Sequence, residues 1–354
     1  MKILVTGAHF TPAVATIEEF KKNYKHEVVY VGRKTPLEGD NTPSAESQVL
    51  PRLGVEFISL ITGRLQREFT VYTIPSLLKI PVGFLQAPVI LLKEKPDVVL
   101  SFGGYVAVPV VIWAWLFSIP IIIHEPAIIS GLANKISAYF ANKIAVSFPI
   151  KYPYPEEKTA VTGNPMRREI KDAINISKRG KPAILVTGGN QGSHVINMAV
   201  EECLDKLTKI VKVVHQTGDS KFGDYDRLKQ KQNENYRVEK FISNGWGQLL
   251  QECDLAVSRA GINTLSELAY LGKPVLVIPI AGHLEQNVSA RYFENLGLAK
   301  ILPQSKLSGG SLLLNIKKML KNLNQLKIKA GSLKKNIIKD GAKKLALETV
   351  LLKS

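Results

Sequence analysis

The chain has 354 residues, 45% apolar and 22% charged, values that exclude disorder as a description of the whole and suit about two domains of ~150 residues. Two cysteines, Cys203 and Cys253, exclude a disulfide scaffold and a four-cysteine zinc site. A formal charge of +17 favours an anionic partner: nucleic acid, an acidic membrane surface or a phosphorylated substrate.

In the first half, strands are expected at 2–6, 27–31, 55–60, 97–102, 119–123 and 143–147, with helices between several of them. Ala13, Ile17 and Phe20 follow the i, i+4, i+7 spacing of an amphipathic helix. Met1-Lys2-Ile3-Leu4-Val5 runs straight into a strand, so no signal peptide is expected. Residues 77–85 are apolar, with Arg64, Arg67, Lys79, Lys93 and Lys95 as basic neighbours. They read either as buried core or as a surface that touches a membrane. Residues 105–123 are 19 uncharged positions, near the ~20 that cross a bilayer. Pro109 and Pro120 interrupt them, and the stretch reads as a buried helix followed by a buried strand.

Residues 148–180 are rich in Pro, Lys and Glu. The pattern then restarts, with strands expected at 183–187, 211–216, 237–242, 255–258, 274–279 and 300–302. Near-continuous apolar strands separated by helices mean parallel sheets covered on both faces. The fold class is α/β: two doubly wound, Rossmann-like domains joined near 165–180, with the ligand in a cleft at the carboxyl ends of the strands. Residues 1–165 are the first domain, 166–332 the second, and 333–354 a C-terminal helix that packs back on the first. Lysines from 306 onward read as a solvated helical face. Cys203 and Cys253 sit in apolar patterns as reduced thiols, which fits a cytoplasmic protein.

Four strand ends carry small-residue turns into helices: Thr6-Gly7-Ala8-His9, Phe102-Gly103-Gly104-Tyr105, Thr187-Gly188-Gly189-Asn190-Gln191-Gly192-Ser193 and Ser258-Arg259-Ala260-Gly261. Glycine lets backbone approach an anion, and a helix N-terminus aims free N–H groups at it. None is a nucleotide-hydrolase P-loop or a dinucleotide fingerprint, which disfavours a hydride-transfer enzyme.

Further strings join these in a fixed order: His124-Glu125, Gly131-Leu132-Ala133-Asn134-Lys135, Thr162-Gly163-Asn164-Pro165-Met166-Arg167, His215-Gln216-Thr217-Gly218, Gly272-Lys273-Pro274 and Glu285-Gln286. Over nearly its whole length the chain resembles the GT-B glycosyltransferases of the peptidoglycan type, family 28. The resemblance implies an inverting transfer of N-acetylglucosamine from UDP-N-acetylglucosamine to a polyprenyl-diphosphate-linked N-acetylmuramyl-pentapeptide. It places the acceptor and the membrane-associating surface in the first domain and the UDP-sugar in the second. It implies no required cofactor, and a peripheral place on an anionic membrane surface at the cytoplasmic face.

Carried over by position, the resemblance gives Arg167, Asn190, Gln191, Ile242, Gly261, Ile262, Asn263, Thr264, Leu265, Ser266, Glu267 and Gln286 to the donor. Ile242 would meet uracil, Glu267 the ribose hydroxyls and Gln286 the sugar hydroxyls. Thr6, Gly7, Ala8 and His9 would face the diphosphate and the acceptor. Gly103, Gly104, Tyr105, His124, Glu125 and Asn134 would line the acceptor site. Three departures stand out: the first glycine loop is shorter than the family's Gly-Gly-Thr-Gly-Gly-His, Pro126-Ala127 replaces Gln-Asn, and Asn190 replaces Ser.

Several residues have two readings. His9 is either the general base for the acceptor hydroxyl or a turn residue. Glu267 either holds the ribose or closes a capping box with Thr264. His124 is either structural or part of the acceptor site. His194 either reaches phosphate or faces solvent, His215 is structural, His26 is solvated, and His283 lines the sugar pocket or does not. Asp224-Tyr225-Asp226 spells a metal-binding triplet, but it lies in a polar connection and reads as a solvated loop; no other group has metal-ligand spacing. Two rival functions keep the fold: a related UDP-sugar transferase for surface polysaccharide or glycolipid, and an inactive sugar-nucleotide-binding or anionic-polymer-binding protein. Nucleic acid is not an expected partner, because aromatic residues are 7% and no reading motif is present.

Overall fold

The computed structural model describes the chain except residues 25, 36–42, 64–72, 174–179, 190, 220–221, 243–244, 336 and 354. It forms two compact units, Met1–Arg167 with Asp340–Ser354, and Arg168–Lys339.

The first unit contains β1 (Lys2–Gly7), β2 (Glu27–Gly32), β3 (Glu56–Ser59), β4 (Val98–Phe102), β5 (Ile121–Glu125), β6 (Lys143–Val146) and β7 (Thr159–Val161). Its helices are α1 (Phe10–Glu19), α2 (Ala45–Arg52), α3 (Thr73–Glu94), α4 (Ala107–Leu116) and α5 (Leu132–Phe140). The sheet is parallel, in the order β3-β2-β1-β4-β5-β6-β7. The chain builds outward from β1 and then crosses back to β4, so the topological switch point lies between β1 and β4. Alternation along β1 sends Ile3 and Val5 to one face and Leu4 to the other. Ile3 and Val5 pack with Ala13 and Ile17 of α1; Leu4 packs with Ala87 and Leu91 of α3 and Val110 of α4.

The second unit contains β8 (Ala183–Thr187), β9 (Lys212–Gln216), β10 (Tyr236–Glu239), β11 (Leu255–Ser258), β12 (Val275–Val277) and β13 (Ala299–Ile301). Its helices are α6 (Arg168–Lys171), α7 (His194–Thr208), α8 (Asp224–Lys229), α9 (Trp246–Glu252), α10 (Ile262–Leu271), α11 (Leu284–Asn295), α12 (Gly309–Lys321) and α13 (Leu323–Ser332). The strand order β10-β9-β8-β11-β12-β13 puts its switch point between β8 and β11. Residues 333–335 form a short 3-10 turn, and α14 (Gly341–Leu351) then returns to the first unit. There Leu345 and Ala346 join the core that faces α1.

Every strand expected from the sequence is present within a few residues. β7 was not expected: it is a three-residue edge strand inside the Pro- and Glu-rich connection. The uncharged stretch 105–123 is α4 followed by β5, a helix and a strand. Among the described residues the one helix long and apolar enough to cross a membrane is instead α3, over Ser76–Glu94. It contains Pro81 and Pro88. Pro88 has no N–H for the carbonyl four residues back, and that carbonyl, of Phe84, instead accepts the Trp113 indole N–H at 2.7 Å.

Candidate active site

In the first unit the turns after β1 and β4 lie side by side at the switch point. Gly7 has φ +136°, and a Cβ there would sit 2.7 Å from the Phe102 carbonyl carbon. Gly103 and Gly104 have φ +69° and +81°. The Ala8 N–H donates to the Gly103 carbonyl at 3.0 Å, and a Cβ on Gly104 would meet the Ala8 methyl at 2.5 Å. Only glycine permits this approach. His9 is the N-cap residue of α1, with no side-chain cap bond. Helix-terminal N–H groups therefore lie at this edge, where they suit an anion. Thr6 is fully buried, and its hydroxyl has no hydrogen-bond partner.

His124, Glu125 and Asn134 are all buried. His124 Nε2 lies 3.4 Å from the Gly163 carbonyl and 3.3 Å from Ser147 Oγ, and the ring packs 5.5 Å from that of Phe102. Burial lowers its pKa to about 3, so the ring is neutral. Glu125 accepts from the Ala127 N–H (3.0 Å), the Gly131 N–H (3.3 Å), Asn134 Nδ2 (3.0 Å) and the Tyr154 hydroxyl (3.1 Å). Burial pushes its pKa up to about 7 despite these bonds. This carboxyl organises the loop from 125 to 134, and a Cβ on Gly103 would strike Asn134 Oδ1 at 2.5 Å. The three residues thus support the second glycine turn from within the unit.

In the second unit the β8 turn has Gly189 and Gly192 at φ +86° and +75°, and Gln191 is exposed. Asn190 lies outside the described residues. Gln216 ties this turn to the expected uracil position: its Nε2 donates to the Gly189 carbonyl at 3.1 Å, and its Oε1 accepts the Ile242 N–H at 3.1 Å. Sequence reading had assigned Gln216 no role.

The β11 turn ends at Gly261, the N-cap of α10, again without a side-chain cap. The helix starts at Ile262, so Thr264 lies inside it and the Thr264–Glu267 capping box does not form. Ile262 and Leu265 are core residues, and Ser266 Oγ donates to the Ile262 carbonyl at 2.8 Å. Gly261, Asn263 and Thr264 are the half-buried members of the expected run. Glu267 is buried and accepts the Trp246 indole N–H at 2.9 Å. Gln286 Oε1 accepts the Ile280 N–H at 3.1 Å. His283 caps α11, its Nδ1 accepting the Gln286 N–H at 3.4 Å. Arg167 is half-buried and is the last residue before the second unit begins.

Residues 5–146 match the model for the glycosyltransferase family 28 N-terminal domain, and residues 183–345 that for its C-terminal domain. A Clostridium botulinum protein (strain 657 / Type Ba4) is 32% identical over 91% of this chain and 92% of its own. A Legionella pneumophila protein (strain Paris) is 32% identical over 93% of this chain and 90% of its own. The chain belongs to glycosyltransferase family 28. Both relatives are named UDP-N-acetylglucosamine–N-acetylmuramyl-(pentapeptide) pyrophosphoryl-undecaprenol N-acetylglucosamine transferase. The crystal structure of Acinetobacter baumannii MurG superposes with a TM-score of 0.75 at 22% identity, covering 99% of each chain. The fold is GT-B, and this family 28 chain is a sugar-transferring enzyme.

Three expectations need correction. Asp224 is not in a solvated loop: it is fully buried in the first turn of α8. Its carboxylate accepts from His194 Nδ1 (2.9 Å), Asn197 Nδ2 (2.9 Å) and Arg227 Nη2 (2.7 Å), joining α8 to α7. His194 accordingly turns toward Asp224, stacked 4.0 Å from the Phe222 ring. His26 is half-buried, and burial lowers its pKa. His215 is structural in this family 28 fold: fully buried, it bonds Tyr236 Oη at 2.9 Å and Asn197 Oδ1 at 3.0 Å. Among the described residues no three His, Cys, Asp or Glu side chains group for a metal.

Proposed function

We propose that the enzyme transfers N-acetylglucosamine, with inversion, from UDP-N-acetylglucosamine to a polyprenyl-diphosphate-linked N-acetylmuramyl-pentapeptide. The observation that carries this is the match across both units: relatives bearing that activity in their names pair with more than nine-tenths of the chain. The second unit takes the donor. Helix-terminal N–H groups of α7 and α10 receive the diphosphate, Ile242 packs on uracil, Glu267 holds the ribose and Gln286 the sugar. The first unit takes the acceptor at its paired glycine turns. The acceptor hydroxyl attacks the anomeric carbon, the bond to UDP breaks, and His9 accepts the hydroxyl proton. Positive helix ends stabilise the charge on departing UDP without a cofactor.

We also propose peripheral attachment at the cytoplasmic face of an anionic membrane. Ile74, Leu78, Leu85, Val89 and Leu92 recur along one face of α3, and all are exposed. Trp115 and Leu116 at the end of α4 are exposed apolar residues as well. Residues 77–85 are therefore not buried core. Lys93 and Lys95 flank the helix end; Arg64 and Arg67 lie outside the described residues.

Turnover with a panel of UDP-sugars, with and without lipid-linked acceptor, tests the activity. UDP release is expected only when UDP-N-acetylglucosamine and the lipid-linked acceptor are both present. Equal turnover with another UDP-sugar would overturn the donor assignment. That arm matters because Ala127, whose N–H is held by Glu125, replaces a family amide.

A further inference from the structure

Arg33 and Tyr105 meet across the end of β1. Arg33 follows β2 and Tyr105 follows β4, and those strands lie on opposite sides of β1. The register sets Thr6 level with Val31 on one side and Gly7 level with Phe102 on the other. Arg33 Nη1 donates to the Tyr105 hydroxyl, and its guanidinium carbon lies 5.5 Å from the centre of the Tyr105 ring. The Ser44 hydroxyl donates to the Arg33 carbonyl at 2.7 Å and fixes the backbone there. The pair therefore spans the Gly7-Ala8-His9 turn, which carries nothing larger than a methyl before His9.

Three features suited to an anion gather at this turn. They are the Arg33 guanidinium, the uncapped N-terminus of α1, and the buried Thr6 hydroxyl that has no hydrogen-bond partner. A guanidinium is a planar fork that stays charged and can bond two phosphate oxygens while stacked on a ring. The turn itself is short and offers few backbone donors. A side-chain cation from the neighbouring strand supplies what a longer glycine loop would.

We propose that Arg33, clasped by Tyr105 over the end of β1, binds the diphosphate of the lipid-linked acceptor. This rests on the acceptor being lipid-linked, as proposed above. The test is steady-state kinetics of the full chain with UDP-N-acetylglucosamine and a short-chain, water-soluble prenyl-diphosphate sugar, which removes membrane binding from the measurement. Arg33→Ala should raise the acceptor KM roughly ten- to hundredfold, the range for charge-assisted bonds, with the donor KM unchanged. Arg33→Lys should recover part of the loss, because it keeps the charge without the fork. Tyr105→Phe should raise the acceptor KM less than Arg33→Ala does. A rise confined to the donor KM would assign Arg33 to the donor's diphosphate and overturn the proposal. So would unchanged KM values in an Arg33→Ala protein with wild-type melting temperature. If the wild-type enzyme uses no lipid-linked acceptor, the functional reading fails by itself. Calorimetry of a short prenyl diphosphate with wild type and Arg33→Lys then still decides whether Arg33 binds the group.

Discussion

Trp246 on α9 donates its indole N–H to Glu267 on α10 at 2.9 Å, and Glu267 is 3% exposed. A buried carboxylate needs such donors, and this one fixes the side chain in place before any ribose arrives. Glu267→Gln keeps an oxygen for Trp246, so the unit should fold normally. UDP affinity should fall by about 1–3 kcal/mol, the scale of hydrogen bonds to charged groups. Calorimetry showing full UDP affinity in a folded Gln variant would remove Glu267 from the ribose.

His9 makes no cap bond to α1, so replacing it sacrifices no helix cap. His9→Ala should lower turnover by about 10²–10⁴-fold, the usual contribution of a general base. With UDP assigned to the other unit in the proposed reaction, its affinity should not change. Near-normal turnover with saturating acceptor would reduce His9 to a turn residue.

Leu78 and Leu85 are 71% and 72% exposed. Changing both to Asp should alter stability by no more than about 0.5 kcal/mol, as surface substitutions do. Each leucine contributes about 1.5–3 kcal/mol when buried in an apolar phase. Sedimentation with anionic vesicles should therefore show at least a roughly tenfold loss of binding. Salt should release much of the wild-type protein from the same vesicles. Equal sedimentation of wild type and variant would show that α3 is not the attachment surface.

The two units should respond differently to acid. Burial lowers the His215 pKa from 6.5 to about 3. Between those values the unfolded chain binds a proton that the folded unit refuses, so this stability is full above 6.5 and is lost as pH falls. In the first unit His124 has the same shift, from 6.5 to about 3. Glu125, raised from 4.5 to about 7, opposes it: from 4.5 to 7 the folded unit keeps a proton the unfolded chain has released. Going from about pH 7.5 to about pH 5, the second unit should lose about 2 kcal/mol, while in the first the two shifts nearly cancel and stability should hardly change. Hydrogen exchange resolved by unit measures both, and equal losses would contradict the assignment.

Much of the architecture can be read directly from the residues, because buried parallel strands are near-continuous apolar runs and glycines mark their ends. β1, β5, β8 and β11 announce themselves in this way. β7 does not, since a three-residue edge strand leaves no periodic pattern. The side of α3 that faces solvent was undecidable, because two prolines and a nearly all-apolar sequence blur its periodicity. The site was harder still. Asp224 looks like any acidic loop residue until Arg227, Asn197 and His194 converge on it from two helices. Gln216 and the Arg33–Tyr105 clasp depend on which strands become neighbours, and a one-dimensional pattern does not state that order.

The position of α14 sets a timetable for synthesis. Leu345 and Ala346 complete a core whose other members lie between Ile3 and Ala145. The second unit is continuous from Arg168 to Lys339 and can close before α14 leaves the ribosome. The unit encoded first is thus finished last. During elongation Ala13 and Ile17 wait without their helical partner, so a nascent chain stalled near residue 339 presents an apolar face that chaperones can hold.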